Sequence, residues 1–164
     1  MDLRAHLLAV ESAVDDPRKG LPQDVFLFVS RITPLVNVDL LIQDDSGRTL
    51  LTWRDDAFFG AGWHVPGGII RFKESAHDRI RACAREELDA DVSSEDAPLL
   101  MSETILGQDT RGHHVSLLFR CRLLGPPAGA RQAASDPPSS GQWRWHDRCP
   151  PDLIESQRQY APFL

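Results

Sequence analysis

The spacing of apolar residues predicts two helices at the start of the chain. The first is indicated by four apolar residues at helical intervals: Leu3, Leu7, Val10 and Val14. A polar segment that ends at Gly20 separates it from the second. Pro22 suits the first turn of a helix that runs to about Ile32. The aromatic and β-branched residues of that segment also permit a strand, so both interpretations stay open.

The middle and the end of the chain carry short apolar runs separated by turn residues, which is typical of strands. The predicted strands span residues 35–43, 48–54, 69–72, 99–106, 113–122 and 142–146. The turn Asp44-Asp45-Ser46-Gly47 between the first two is a hairpin signature. Residues 125–141 are rich in Pro, Ala, Ser and Gly and predict a mobile loop. Residues 152–160 predict a final helix.

A further helix is predicted in the centre of the chain, beginning near Ser75. Ser75 and Asp78 have the spacing of an N-cap and its capping-box partner. An apolar stripe follows at intervals of four residues: Ala76, Ile80, Ala84 and Leu88. Strands around one central helix, with another helix at the end, predict an α+β sandwich.

Composition limits the class of protein. The 164 residues, 41% of them hydrophobic, suffice for one domain with a proper core. A net charge of −6 argues against binding of a nucleic-acid polymer through its phosphate backbone. The sequence has neither a membrane-length apolar run nor a basic-apolar leader, so no membrane association is expected. Three scattered cysteines without zinc spacing favour a reduced, cytoplasmic setting.

The candidate chemistry lies in residues 63–90. The segment Trp-His-Val-Pro-Gly-Gly at residues 63–68 leads into the central helix, which carries adjacent carboxylates at Glu86 and Glu87. Glycines permit close approach of a ligand to the backbone, where a carbonyl group offers a further oxygen donor. Mg²⁺ prefers oxygen ligands and often needs only one or two carboxylates besides substrate phosphates. The segment therefore predicts a metal site, against the simpler interpretation that the two glutamates form a solvated helix face.

The spacing of this segment resembles the Nudix box, G-x5-E-x7-R-E-U-x-E-E-x-G-U, in which U is a bulky aliphatic residue. Four positions are in register: Gly68, Glu74, Glu86 and Glu87. Three positions depart from the box, since Ala82 replaces its arginine, Cys83 its first helical glutamate and Asp89 its last glycine. A thiol is a poor Mg²⁺ ligand, so the helix keeps two oxygen-donor side chains.

Further segments resemble the GDP-mannose mannosyl hydrolase branch of that superfamily. They are residues 33–39, 47–51, 63–68, 118–120 and 143–145, in the order in which the branch has them. The resemblance divides the chain into a helical N-terminal extension, residues 1–20, and a single Nudix domain, residues 21–164. It implies a Nudix-type α/β/α sandwich with a mixed central sheet and a catalytic loop-helix.

The resemblance implies a hydrolase that uses Mg²⁺ (or Mn²⁺) on a small-molecule nucleoside diphosphate derivative, with a nucleotide sugar such as GDP-mannose as the first candidate. In that branch the bond broken is sugar C1–O rather than P–O. Its metal ligands map to the Gly67 carbonyl and Glu87, and its substrate contacts map to Asp39 and Arg54. Glu86 would be an extra ligand or base. Members of the branch are commonly dimers, so a homodimer is also expected.

The general base of the branch and one of its metal ligands are missing. The branch has a Gln-His pair just before the strand at residues 143–145, where this chain has Ser139-Ser140. Gln142 is a candidate for the missing ligand. Four histidines are candidate bases: His64, His113, His114 and His146. Adjacent residues of a strand point to opposite faces, so at most one of the pair at 113–114 faces the pocket.

Two other functions stay open. The first is ordinary P–O cleavage of a nucleotide or similar diphosphate, with Glu86 or Glu74 helping to activate water. The second is binding of a nucleotide or sugar without turnover, which the losses at Ala82, Cys83 and the histidine base motivate. For either ligand, Trp53, Phe58 and Phe59 are candidates for stacking a nucleobase.

Overall fold

The computed structural model describes residues 2–164, which form three α-helices, eight strands and three 3₁₀ helices. The α-helices are α1 (Leu3–Ser12), α2 (Gln23–Ile32) and α3 (Ala76–Leu88). The strands are β1 (Leu35–Ile42), β2 (Thr49–Asp56), β3 (Gly60–His64), β4 (Gly67–Ile69), β5 (Val92–Ser94), β6 (Leu100–Ile105), β7 (His113–Leu123) and β8 (Trp143–His146). The 3₁₀ helices are Pro17–Lys19, Gly129–Arg131 and Glu155–Phe163. The helical interpretation of the segment after Pro22 is therefore confirmed.

The strands form two sheets. β1 and β7 pair in parallel at the centre of a mixed five-stranded sheet. β4 pairs antiparallel with β1 on one side, and β5 and β6 pair antiparallel with β7 on the other. The second sheet is antiparallel and has the order β3-β2-β8.

The side chains of β1 alternate between two hydrophobic cores, because successive residues of a strand point to opposite faces. Val38, Leu40 and Ile42 pack with the apolar stripe of α3. Leu41 packs on the other side with Tyr160 of the C-terminal 3₁₀ helix. Each fully buried aliphatic side chain contributes about 1.5–3 kcal/mol to stability. Helices thus cover the mixed sheet on both faces, which confirms the predicted α/β/α sandwich.

The ends of α3 are fixed by side chains. At the start, Ser75 Oγ accepts a hydrogen bond from the Asp78 N–H at 3.1 Å, as the capping motif predicts. At the end, Asp89 adopts the left-handed conformation with φ 51°. Arg131 donates from Nη1 to two carbonyl groups of the last turn at 2.7 and 2.9 Å. Residues 125–141 therefore secure the helix end that carries the candidate carboxylates.

The predicted hairpin is wrong in its strand pairing. A turn follows Asp44 as expected, since the Gly47 N–H donates to its carbonyl at 2.9 Å. β1 and β2, however, lie in different sheets and share only the bridge between Gln43 and Thr49. Residues 38–42 and 49–53 are all buried. Each strand is covered on both faces and lies inside its own sheet, where β1 pairs with β4 and β7 and β2 pairs with β3 and β8.

Other boundaries also differ from the prediction. The strand expected at residues 69–72 is Gly67–Ile69, because Arg71 N donates to Glu74 Oε2 at 2.9 Å and Lys73 has a positive φ of 59°. These contacts make a turn that leads into α3. The α-helix expected at residues 152–160 is the 3₁₀ helix Glu155–Phe163, and β3 and β5 are absent from the prediction. β3 is mostly Gly and Ala, which carry little strand signal.

The first helix lies outside both cores. α1 buries none of its residues, and the Leu3 side chain is 70% exposed. Asp2 caps its start by accepting from the Arg4 N–H at 3.0 Å. Within residues 2–164, no helix combines the length and the apolar composition that a membrane span needs.

Candidate active site

A cavity of about 340 Å³ opens between the two sheets at the turn from β3 to β4. Its walls carry four of the five residues predicted for the site: Asp39, Arg54, Gly67 and Glu87. A larger cleft of about 460 Å³ lies beside the turn after Asp44, and none of the predicted residues lines it. The candidate chemistry therefore belongs to the cavity between the sheets.

Glu87 joins α3 to both sheets through hydrogen bonds. Its Oε2 accepts from Thr52 Oγ1 at 2.9 Å, and its Oε1 accepts from the Gly67 N–H at 2.9 Å. His64 Nε2 lies 3.5 Å from Glu87 Oε2. Burial opposes ionisation, but the nearby His64 ring and the hydrogen bonds from Gly67 and Thr52 hold the pKa of Glu87 below its usual value. The carboxylate is therefore charged at neutral pH.

The Thr52 hydroxyl sets the tautomer of His64. His64 Nε2 lies 3.1 Å from Thr52 Oγ1. Since Thr52 donates its proton to Glu87, its oxygen accepts from His64, which places the ring proton on Nε2. Nδ1 is buried and has no hydrogen-bond partner in the described part of the chain. His64 thus orients the Glu87 carboxylate and offers no exposed lone pair.

The backbone of Gly67 faces Glu87 because of the position of Gly67 in the antiparallel pairing of β4 with β1. Pro66 and Ile70 hydrogen-bond to β1, and the alternation of an antiparallel pair turns both polar groups of Gly67 away from β1. Its N–H reaches Glu87, and its carbonyl lies on the same side. A Cβ at this position would overlap the Asp39 carboxylate. Only glycine therefore lets the turn approach β1 this closely.

Asp39 is a buried carboxyl on β1, 5% exposed. The Tyr160 hydroxyl donates to its Oδ2 at 2.6 Å, and Gln157 Nε2 donates to its Oδ1 at 3.3 Å. Burial raises the pKa of Asp39 to about 6, against hydrogen bonds from Tyr160 and Ser116. Asp39 is therefore ionised at neutral pH and still basic enough to accept a proton.

Two arginines lie over the ring of Phe59 on the cavity wall. The guanidinium Cζ is 4.7 Å from the ring centroid for Arg54 and 5.0 Å for Arg111. Arg54 also forms an ion pair with Asp56, with 2.8 Å between Nη2 and Oδ2. The cavity therefore carries positive charge beside Phe59 and negative charge beside Gly67.

Glu86 points away from this cavity, because consecutive residues of an α-helix are roughly 100° apart around its axis. Its carboxylate accepts from Arg79 Nη2 and, at 3.3 Å, from Arg71 Nη2. It lines a neighbouring cavity of about 360 Å³. Buried Arg79 also donates to Cys83 Sγ at 3.1 Å. The structure does not bring Glu86 and Glu87 together, and a role for Glu86 as ligand or base stays a prediction.

His64 and His114 are the candidate bases that line the cavity. Burial and then the charge of Arg111 lower the pKa of His114, so its ring is neutral at neutral pH. His113 points to the other face of β7, where Nε2 lies 2.9 Å from Glu103 Oε1. The predicted alternation of the two adjacent histidines is therefore confirmed.

The segment in place of the Gln-His pair contributes only Ser140 to the cavity wall. Gln142 Oε1 accepts from the Ser139 N–H at 2.8 Å, so the Gln142 side chain closes its own turn. His146 packs edge-on against Trp63, with ring centroids 4.5 Å apart, and does not line the cavity. Neither Gln142 nor His146 takes the position of the missing group.

The oxygen atoms beside Glu87 suit a hard divalent cation. Each Glu87 carboxylate oxygen accepts from one protein N–H or O–H donor and keeps a lone pair, and the Gly67 carbonyl lies on the same side. Within the described residues, no three His, Cys, Asp or Glu side chains form a ready metal cage. Mg²⁺ commonly retains water and shares substrate phosphates. The donors therefore fit Mg²⁺ or Mn²⁺ whose coordination a phosphate ligand and water complete.

Sequence reasoning missed three residues that line this cavity, Asn37, Arg111 and Gln157. It also missed Thr52 and Tyr160, which lie behind the wall and hydrogen-bond to the Glu87 and Asp39 carboxylates. The sequence pattern could have indicated Asn37, because Asn37 and Asp39 alternate in an otherwise apolar strand and so mark a polar face. No sequence pattern indicated Gln157 and Tyr160, since they lie 118 and 121 positions from Asp39, the residue to which they donate hydrogen bonds.

Comparisons with known proteins give partial relatives and many structural likenesses. No family model matches the chain. The low-salt glycan biosynthesis protein Agl8 of Haloferax volcanii is 36% identical over 81 residues, which are 49% of this chain and 51% of that relative. The match thus spans about half the length of the curated relative.

Many solved structures resemble the chain, and two of them illustrate how much of its length is covered. A MutT Nudix hydrolase from Burkholderia pseudomallei has a TM-score of 0.63 and 22% identity, with 80% of this chain and 98% of that chain covered. A UDP-X diphosphatase has a TM-score of 0.56 and 21% identity, with 96% and 72% covered. At these identities the likeness establishes the fold.

Proposed function

Because the chain has the Nudix fold, we propose that it is a metal-dependent hydrolase of a nucleoside diphosphate derivative. The observation that carries this proposal is the ionised Glu87 carboxylate, which accepts a hydrogen bond from the Gly67 N–H on the cavity wall. A bound Mg²⁺ or Mn²⁺ would supply charge neutralisation for the departing phosphate group.

The residues of the cavity have distinct proposed tasks. Glu87 and the Gly67 carbonyl hold the cation, and Thr52 fixes the orientation of Glu87. Asp39 contacts the substrate and accepts a proton, because its pKa of about 6 suits a general base near neutral pH. Arg54 donates to phosphate oxygens from a guanidinium that Asp56 keeps in place.

A nucleotide sugar such as GDP-mannose is the first candidate substrate. The resemblance of residues 33–39 and 63–68 to the mannosyl hydrolase branch supports it. The Haloferax relative is named for glycan biosynthesis, and one structural neighbour is a UDP-X diphosphatase. A cavity of about 340 Å³ lies within the usual range for small-molecule sites, about 300–1,000 Å³.

The test is a screen of nucleotide sugars, nucleoside triphosphates and dinucleoside polyphosphates with Mg²⁺ or Mn²⁺, in which free sugar and phosphate are both measured. The proposal would be supported if one compound is hydrolysed and if EDTA abolishes that hydrolysis. If no compound is hydrolysed, the proposal is wrong. A nucleotide that then still raises the melting temperature would identify a binding protein without turnover.

Ordinary P–O cleavage is the second candidate, because Ser139-Ser140 replace the Gln-His pair that serves C–O cleavage in the branch. Hydrolysis in ¹⁸O-labelled water distinguishes the two reactions. Label in the sugar indicates C–O cleavage, and label in the phosphate indicates P–O cleavage.

The remaining expectations extend this proposal. Residues 21–164 would form the catalytic domain, with residues 1–20 as an extension. The protein would act in the cytoplasm on a small molecule, as a homodimer. Sedimentation equilibrium of the full chain tests the dimer.

A further inference from the structure

Arg111 lies on the wall of the same cavity, and the proposed function gives it no role. It occupies the turn between β6 and β7 in a left-handed backbone conformation, with φ 58°. Its backbone N–H donates to Ser30 Oγ of α2 at 3.2 Å. The turn is thereby fixed against α2, which determines where the Arg111 side chain begins.

Three phenylalanine rings hold the guanidinium of Arg111. Its Cζ lies 4.9 Å from the ring centroid of Phe58, 5.0 Å from that of Phe59 and 5.6 Å from that of Phe26. Aromatic faces attract a cation through their quadrupole. A guanidinium stacked on a ring keeps the N–H groups along its edge available for a planar acceptor.

The charge of Arg111 has no protein partner. No carboxylate of residues 2–164 lies within 4.0 Å of its guanidinium nitrogens, whereas Arg54 is paired with Asp56. Burial and then the neighbouring charge of Arg54 lower the pKa of Arg111, and the negative charge of Asp56 opposes them only in part, so the surroundings of Arg111 disfavour its charge. Buried charges are normally paired. A half-buried, unpaired guanidinium on a cavity wall therefore indicates a site for an anion from outside the protein.

We propose that Arg111 binds a phosphate group of the ligand on the Phe59 side of the cavity, away from Gly67 and Glu87. This inference rests on the proposed function, in which a diphosphate occupies the cavity. A diphosphate has two phosphate groups, so one can face Glu87 and Gly67 while the other accepts hydrogen bonds from Arg111. The planar guanidinium can donate two parallel hydrogen bonds to two oxygens of one phosphate group, whereas the ammonium group of a lysine acts as a point charge.

The experiment measures binding of inorganic pyrophosphate to the full chain in Mg²⁺ buffer by calorimetry. Arg111→Met is compared with Arg148→Met, which removes the same charge from an exposed arginine outside the cavity. Arg111→Met is expected to weaken binding about 10- to 100-fold, the usual effect of losing hydrogen bonds to a charged group. Arg148→Met is expected to change pyrophosphate affinity by no more than about twofold, because isolated surface charges contribute little.

Arg111→Lys keeps the charge and loses the planar fork, so it guards against a folding defect in Arg111→Met. It is expected to weaken binding by an intermediate factor at unchanged melting temperature. If a substrate is found, Arg111→Met should raise KM more than it lowers kcat, since the contact is already made in the ground state.

Unchanged pyrophosphate affinity in Arg111→Met, or an equal loss in Arg148→Met, would overturn the inference. Absence of pyrophosphate binding by the wild-type chain would overturn it as well. Hydrolysis that persists with unchanged affinity leaves the proposed function intact and removes only the role of Arg111. Pyrophosphate binding that depends on Arg111, without hydrolysis of any compound, supports the role of Arg111 and removes the proposed hydrolase function.

Discussion

The backbone N–H of Gly67 donates to Glu87 Oε1 at 2.9 Å, and this bond joins the Pro-Gly-Gly turn to a helix 20 positions later in the chain. The turn and the helix therefore position each other. The carboxylate is fixed by the turn, and the turn is kept near β1 because a side chain at position 67 would overlap Asp39. The turn and the carboxylate thus form one structural unit.

Glu87→Gln is expected to lower metal-dependent kcat/KM by at least about 100-fold, because even residues that only support a metal ligand often account for about 10- to 100-fold. Glutamine keeps the shape and can still accept from Thr52 or Gly67, so the fold should be retained. The measurement is kcat/KM across a Mg²⁺ titration, together with the melting temperature.

Glu86→Gln is the matched control for that variant. The Glu86 carboxylate pairs with Arg71 and Arg79 in a different cavity, so turnover should fall by less than tenfold, roughly the lower limit for a metal-supporting residue. Equal losses in the two variants would show that Glu86 shares the metal site, as the sequence predicts. A fully active Glu87→Gln variant would remove Glu87 from the proposed site.

Asp39→Asn is expected to change how stability depends on pH in the metal-free protein. The pKa of Asp39 is about 6 in the folded state against an ordinary 3.8, so the folded state holds its proton more tightly. The stability from this group is complete below the ordinary value and is lost as the pH rises through about 6. The loss is on the order of 3 kcal/mol, and Asp39→Asn should lack it.

The measurement is urea unfolding of both proteins in EDTA between about pH 4 and about pH 7, compared as a difference in free energy. The difference is needed because Glu87 acts in the opposite direction. Its lowered pKa stabilises the folded state above the ordinary 4.5, and that stability is lost as the pH falls. A pH-independent difference between wild type and Asp39→Asn would contradict the raised pKa.

Gly68→Ala is expected to destabilise the protein by about 1–3 kcal/mol through overpacking. A Cβ at position 68 would lie 2.8 Å from Cys83 Sγ, inside van der Waals contact. Cys83→Ala removes that sulfur, so the same change should cost less in its background. A double-mutant cycle by urea unfolding measures the coupling. If the effects of the two substitutions are additive, the destabilisation by Gly68→Ala does not come from the contact with Cys83 Sγ.

Deletion of residues 1–14 is expected to change stability by less than about 1 kcal/mol, because α1 buries no residue and surface segments contribute little. Deletion of residues 1–32 should instead lower both the melting temperature and pyrophosphate affinity. That longer deletion removes Ser30 and Phe26, which hold the Arg111 turn. Thermal unfolding of the two truncated chains makes the comparison, and similar losses in both would show that α1 supports the fold.

Local chemistry was enough to predict α3 and its position in the chain. Ser75 and the apolar stripe lie within one helix, and capping and periodicity depend only on neighbouring residues. The box spacing also indicated a Nudix-type fold, which the likeness to solved Nudix structures confirms. Asp39, Gly67 and Glu87 were predicted by resemblance, and the structure brings them to one cavity.

Long-range pairing was beyond local chemistry. β1 and β2 are adjacent in sequence and separated by a turn, yet β1 pairs with β7, which lies more than 70 positions further along the chain. Helix geometry separates Glu86 from Glu87, and the ion pairs with Arg71 and Arg79, which local sequence did not indicate, hold Glu86 in another cavity. A motif records spacing along the chain and does not record which charges compete for a carboxylate.

The parallel pairing of β1 with β7 has a consequence for the order of folding. Asn37 and Ser116, which share one wall of the cavity, are register partners 79 positions apart. Parallel strands need a long connection, and the entropy of closing it is lost before the contacts are gained. The cavity is therefore expected to form only after the segments from β1 to β7 have come together. A chain still emerging from the ribosome has no such cavity until β7 is available.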